Sequence, residues 1–149
     1  SNETLIRWGR RDRKGAWDTF DADGYVHLLW RLRHQEEEIV HAPDFDRGVD
    51  ESIGSALPIR REVPLIVTEG NYLLTDVGGW AGVAPLLDES WYLQIDEATR
   101  LQRLTYRHQL HGMDPERAEA WARTTDQANA ILIARSKPRA DLIITMAGP

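Results

Sequence analysis

Pro64-Leu65-Ile66-Val67-Thr68-Glu69-Gly70 is the stretch whose reading decides the fold. Its apolar residues run without alternation and stop at a glycine, the pattern of a strand covered on both faces in a parallel sheet. Residues 71–74 then leave the sheet. A second run, Ser90-Trp91-Tyr92-Leu93-Gln94-Ile95, leads into Asp96, which is set to cap a helix carrying Arg100, Arg103 and Arg107 and ended by Gly112. Asp114-Pro115-Glu116 combines a cap, a proline at the first helical position and an acid in the first turn, which predicts a helix reaching about Arg135. Pro138 breaks the chain before a third strand over residues 140–145. Strands alternating with helices imply an α/β fold with a mostly parallel sheet.

Upstream of this pattern, residues 3–9 read as a short helix, and residues 10–14 concentrate charge in a loop that closes at Gly15. Asp21 is placed to cap a helix through Arg33, with Tyr25, Leu28, Leu29 and Leu32 on one face and residues 34–38 as its polar end. Pro43, Gly48, Gly54 and Pro58 punctuate the next stretch, which reads as irregular structure with a short strand at 39–42. No internal repeat, low-complexity tract or linker interrupts the chain, so residues 1–149 read as one domain.

At 149 residues with 42% hydrophobic content, the chain has enough apolar material for an ordinary core. The formal charge of −6 repels a nucleic-acid backbone, so no nucleic-acid partner is expected. Without cysteine there is no disulfide framework and no thiolate metal site, and the five histidines lack metal-ligand spacing. No apolar stretch approaches the ~20 residues of a spanning helix, so no membrane partner is expected. The cytoplasm is the default compartment, and a homodimer is compatible with all of this.

Ligands of open α/β sheets sit beyond the carboxyl ends of strands, which singles out Glu69 and Asp96. Glu69 either holds Mg²⁺ or bonds a neighbouring loop; Asp96 either reaches a ligand or only caps its helix. Arg100, Arg103 and Arg107 share a helical face, which either closes over phosphates or is a solvated surface. Arg13 and Lys14 lie in the basic loop ahead of Asp18. Phe45 and Arg47 lie between Pro43 and Gly48, where a polar and aromatic loop suits the wall of a small polar site. No catalytic triad, zinc motif or G-x-G-x-x-G fingerprint is present, and the missing fingerprint argues against a nicotinamide-binding domain.

Taken in order, GRRDRKGAWDTFDADGYVHLLWRLR (9–33), LIVTEGNYLL (65–74), RLQRLTYRHQLHGMDPERAEAW (100–121), TDQANAILI (125–133) and KPRADLIIT (137–145) resemble the P-loop kinases that group pantothenate kinase, uridine kinase and phosphoribulokinase, in particular their bacterial nucleoside/nucleotide kinase branch. The resemblance covers nearly the whole chain. It implies a three-layer P-loop NTPase-type fold with a helical lid at about residues 100–116, ATP and Mg²⁺ as cofactors, and phosphorylation of a hydroxyl on a small metabolite. It also implies roles for single residues. Glu69 would serve the Mg²⁺–nucleotide site as a catalytic acid, and Arg103 and Arg107 would reach the ATP phosphates. Arg139 would lie nearer the adenine. Arg13, Lys14, Asp18, Phe45, Arg47 and Asn129 would border the acceptor.

The chain departs from the family in two places. Uridine kinases carry Phe-Asp-His-Pro ahead of Asp-Ala-Phe-Asp and use the first acid on the ribose, whereas here Lys14-Gly15-Ala16-Trp17 precedes Asp18-Thr19-Phe20-Asp21. That form is closer to pantothenate kinase, whose substrate-loop histidine is matched here by Arg47. The acceptor therefore stays open between pantothenate-like acids, nucleosides, and fructose or another sugar. The second departure is that the family's opening G-x-x-x-x-G-K-[S/T] loop occurs nowhere in these residues. The family's first strand, phosphate loop, second strand and general-base aspartate would all precede Ser1, so the isolated chain is expected to be inactive and part of a longer protein. A non-catalytic or regulatory binding module is the alternative.

Overall fold

The computed structural model describes residues 1–146, and the chain forms two compact units, Ser1–Leu86 and Leu87 onward. In the first unit, helix α1 (Asn2–Arg7) is capped by Ser1, whose hydroxyl accepts from the Thr4 amide. Single 3-10 turns at Arg11–Arg13 and Trp17–Thr19 follow. Helix α2 (Ala22–His34) starts where Asp21 accepts from the Gly24 amide at 2.9 Å, and it buries Leu29 and Leu32 as its periodicity predicts.

The core of this unit forms where α2 meets the 3-10 turn Gly78–Gly82. Trp80 is buried there beside Tyr72, with Phe20 and Tyr25 around it at ring separations of 5.6–6.0 Å. The two segments pack closely at both glycines. A Cβ on Gly82 would stand 3.1 Å from a Val26 methyl, and one on Gly79 would fall 2.3 Å from the Asp23 carboxylate. Trp80 Nε1 donates to the Trp17 carbonyl at 2.8 Å, and the Tyr72 hydroxyl donates to the Gly15 carbonyl at 2.9 Å, so the buried rings keep their polar groups paired.

Two expectations for this unit are corrected. The short strand expected at 39–42 is present, but the stretch after it is not irregular: strands β1 (Ile39–Asp46) and β2 (Glu51–Arg60) form an antiparallel hairpin. The hairpin absorbs its turn residues at a bulge. Pro43, which has no amide to donate, falls at the register shift between Ala42 and Asp44, opposite Gly54 and a left-handed Ser55 at φ 58°. Residues 64–70, in turn, join no ladder among the described residues. Leu65 is 74% and Val67 83% exposed, so among the described residues this apolar run is not covered on the two faces that its composition calls for.

In the second unit β3 (Trp91–Gln94) pairs in parallel with β4 (Leu142–Thr145), joined by a helical crossover. Asp141 fixes the register, because its carboxylate accepts from both the amide and the hydroxyl of Ser90 at 2.7 Å. Helix α3 (Glu97–Leu110) is capped by Asp96 and α4 (Pro115–Arg123) by Asp114, both as expected. The single helix expected to reach Arg135 divides at Thr124 (ψ −78°) into α4 and α5 (Thr125–Ala134). There the Ala120 carbonyl accepts from both the Thr124 hydroxyl at 2.7 Å and the Thr124 amide at 3.1 Å, back-bonding of the kind that bends helices. Ala118 and Ala122 are fully buried where α4 packs against its neighbours.

Candidate functional site

Glu69 ends the apolar run, exposed, in the first unit. The Thr68 hydroxyl beside it is hydrogen-bonded to the Tyr25 hydroxyl, which reaches it from α2. Burial pushes the Tyr25 phenol above its usual range against the opposing effect of that bond, and the Glu69 charge adds to the upward shift. Tyr25 therefore lies within electrostatic reach of Glu69. Helical periodicity places Tyr25 on the apolar face of α2; its hydroxyl, bonded to Thr68 next to Glu69, is the feature that marks it.

Around the basic loop, Arg13 grips Asp18 with both guanidinium branches, one of them at 2.8 Å, and Arg10 adds a bond to the Asp18 carbonyl at 2.9 Å. The Arg13 hydrogen bonds, with the charges of Arg13 and Arg10, hold the Asp18 carboxyl below the usual range despite its partial burial. Lys14 donates to Asn2 Oδ1 at 2.8 Å, to the Asp50 carbonyl, and to the Asp50 carboxylate at 3.0 Å. Its ammonium also stands 5.2 Å from the centre of the Phe45 ring. Arg47 lies exposed in the hairpin turn and makes no ion pair among the described residues. Lys14 and Phe45 thus meet, while Arg13 and Asp18 form a separate pair. Asp50, which joins Lys14 to the hairpin, was missed in the sequence because its partners lie 36 and 48 positions away.

In the second unit, α3 presents Arg103 and Arg107 exposed and free of ion pairs among the described residues. Arg103 lines an open groove of about 890 Å³ together with Gln102, Tyr106, Glu119 and Arg123. Arg100 belongs to a different arrangement: it donates to the Gln127 side chain, whose amide nitrogen donates to Glu97 at 2.9 Å. His108 meets the Asp126 carboxylate at 2.7 Å, so α5 holds α3 at both ends of the arginine row. Asn129 is half-buried on α5, and Arg139 is exposed in the 3-10 turn before β4. Among the described residues no cluster of three or more His, Cys, Asp or Glu suits a metal, so Glu69 would offer a single carboxylate. No helix of the described residues is long and apolar enough to cross a membrane.

An ATP-dependent kinase-like protein of Aspergillus versicolor, notR', is 34% identical to this chain over 130 residues, covering 84% of the chain and 76% of its own length. A Schizosaccharomyces pombe protein named as a uridine kinase is 26% identical, covering 90% of the chain and 58% of its own length. Protein YggC of Escherichia coli is 31% identical over 91% of the chain and 55% of itself. Among solved structures, a Silicibacter sp. TM1040 protein described as a fructose transport system kinase superposes with a TM-score of 0.88 at 37% identity, over 97% of this chain and 69% of that one. Saccharomyces cerevisiae YFH7, described as a P-loop containing kinase with a circular permutation, shares the fold at a TM-score of 0.78 and 18% identity, with 52% of its chain covered. No family model matches. The chain spans between 52% and 76% of the length of these proteins. With the relatives' identity extending over most of its residues and an α/β architecture that superposes on solved P-loop kinases, the chain belongs to the P-loop kinases.

Proposed function

We propose that the chain carries the acceptor-side and lid parts of an ATP-dependent phosphotransferase that moves a phosphoryl group onto a hydroxyl of a small metabolite. The observation that carries this reading is the state of Arg103 and Arg107. In a P-loop kinase, two guanidiniums four residues apart on one helix, exposed and without ion pairs among the described residues, are available to a polyanion. Phosphoryl transfer asks a protein mainly for positioning and for stabilisation of charge on the transferring oxygens, and the guanidinium fork matches that geometry. Glu69 fits Mg²⁺, which is usually held through one or two carboxylates with water and phosphate oxygens completing its shell. When bound, the ion neutralises phosphate charge. Arg139 would lie towards the nucleotide base, and Asn129 towards the acceptor.

For the acceptor, the relative named as a uridine kinase and the structure described as a fructose transport system kinase support a nucleoside or sugar hydroxyl, and the Lys14-Gly15 motif adds a pantothenate-like acid. Asp18 is engaged by Arg13 and Arg10, so it does not replace the ribose-binding acid of uridine kinases. Among these classes that favours the sugar or the pantothenate-like acid. A second reading is a binding module without catalysis. ADP release by the intact protein with ATP, Mg²⁺ and, in turn, D-fructose, pantothenate and uridine separates the two. Acceptor-stimulated ADP release is expected with one of them, and ATP binding without stimulation by any would favour the module.

A further inference from the structure

We propose that Lys14 and Asp50 form a latch that sets the attitude of the Phe45–Arg47 loop, so that Lys14 acts as a positioning residue and not as a contact to the acceptor. The functional half of this inference rests on the reading of that loop as the acceptor wall. The base of the hairpin is fixed by burial, with Val40 at 3% and Ala42 at 7% exposure and the Arg61 amide bonded to the Glu38 carbonyl. Beyond Ala42 every residue through Val49 is exposed, and apolar burial holds none of them in place. Within the turn itself, Asp46 bonds the amides of Gly48 and Val49, which shapes the turn without tying it to anything else.

The tie is made at Asp50. Its backbone is left-handed at φ 55°, a conformation that aspartate tolerates better than most non-glycine residues, and it turns both the carbonyl and the carboxylate to the same neighbours. Asn2 Nδ2 and Lys14 Nζ both donate to its carbonyl, the first at 3.0 Å. Arg11 and Lys14 both reach its carboxylate at 3.0 Å, and the Asn2 amide donates to Glu51 at 2.7 Å. An ammonium has three N–H groups, and those of Lys14 are directed at Asn2 and at the two Asp50 oxygens. No donor is left for a substrate. The same ammonium stands over Phe45, so a single cation fixes both the end of the turn and the aromatic residue that enters it. Both partners belong to the first unit, so the device is complete within it.

Hydrogen exchange of the amides in residues 44–50 of the intact protein tests the latch without any ligand. Lys14→Met should speed that exchange about tenfold, Lys14→Arg should restore most of the protection, and Arg47→Ala, which lies outside the latch, should leave it as it was. Unchanged exchange in Lys14→Met overturns the proposal. Asp50→Asn keeps a residue that tolerates the left-handed backbone, so its effect should not add to that of Lys14→Met; additive effects would make Lys14 an independent contact. In turnover with D-fructose or pantothenate, Lys14→Met should raise the acceptor KM about tenfold and leave the ATP KM within about twofold, and an equal rise in both overturns the assignment. Faster exchange in Lys14→Met, together with an unchanged acceptor KM in Phe45→Ala and Arg47→Ala, would keep the latch and sink the acceptor-wall reading.

Discussion

Glu69 and Asp18 are both carboxylates, and their surroundings separate their expected behaviour. Glu69 is exposed at the end of an apolar run, with no volume buried in the core, so Glu69→Gln should preserve folding. If it serves the metal–nucleotide site, turnover of the intact protein should fall on the order of 100-fold, at least as much as losing an outer-shell metal partner costs. Full turnover at saturating Mg²⁺, with an unchanged circular dichroism spectrum, would assign Glu69 to structure. Asp18 is instead committed to Arg13, and its folded pKa lies below its ordinary value. A depressed carboxyl stabilises the fold above its unfolded pKa of about 4, and that contribution disappears as pH falls through the folded pKa. Urea titrations of wild type and Asp18→Asn should therefore differ at pH 7 and converge as pH drops below about 4. A gap that persists unchanged at low pH would mean that the Arg13 pair does not hold the loop.

At the scale of elements, α3 carries the sharpest prediction. Arg103 and Arg107 are exposed alike, and so is Arg117 on α4, which serves as a control of the same chemistry. Arg107→Ala and Arg103→Ala should each lower turnover by ~10³-fold or more if they meet phosphates in the transition state, with a smaller effect on the ATP KM. Arg117→Ala should do almost nothing. Equal and negligible effects in all three would return the row to solvent. The capped helices were legible residue by residue, because Asp21, Asp96 and Asp114 each satisfy amides within three positions of themselves. The hairpin was not, since Pro43 and Gly54 are breakers by composition and become part of a ladder only when a partner strand accommodates the bulge. Thr124 gave no warning either: one expected helix becomes two where its backbone leaves helical geometry at φ −111° and ψ −78°.

For the whole molecule, the 149 residues contain no phosphate-cradling glycine loop with its lysine, whose backbone amides supply much of the ATP site in this family. The purified 149-residue chain is therefore expected to bind ATP weakly in calorimetry and to show no phosphotransfer. Turnover by that chain, free of contaminating kinase, would overturn the matching of its segments to the family. The sequence by itself determined the α/β class, the capped starts of α2, α3 and α4, and the arginine row of α3, because each of these is written in residues that are neighbours or lie one helical turn apart. Tertiary structure alone decided which of the polar and charged side chains are already taken. Asp18 by Arg13, Lys14 by Asp50 and Asn2, Arg100 by Gln127, and Tyr25 by Thr68 are pairings in which, Arg13 and Asp18 apart, the partners lie 12 to 43 positions apart. A cation free to meet a phosphate and one held by a carboxylate have the same letter in the sequence; only the folded chain brings the competing partner within hydrogen-bonding distance.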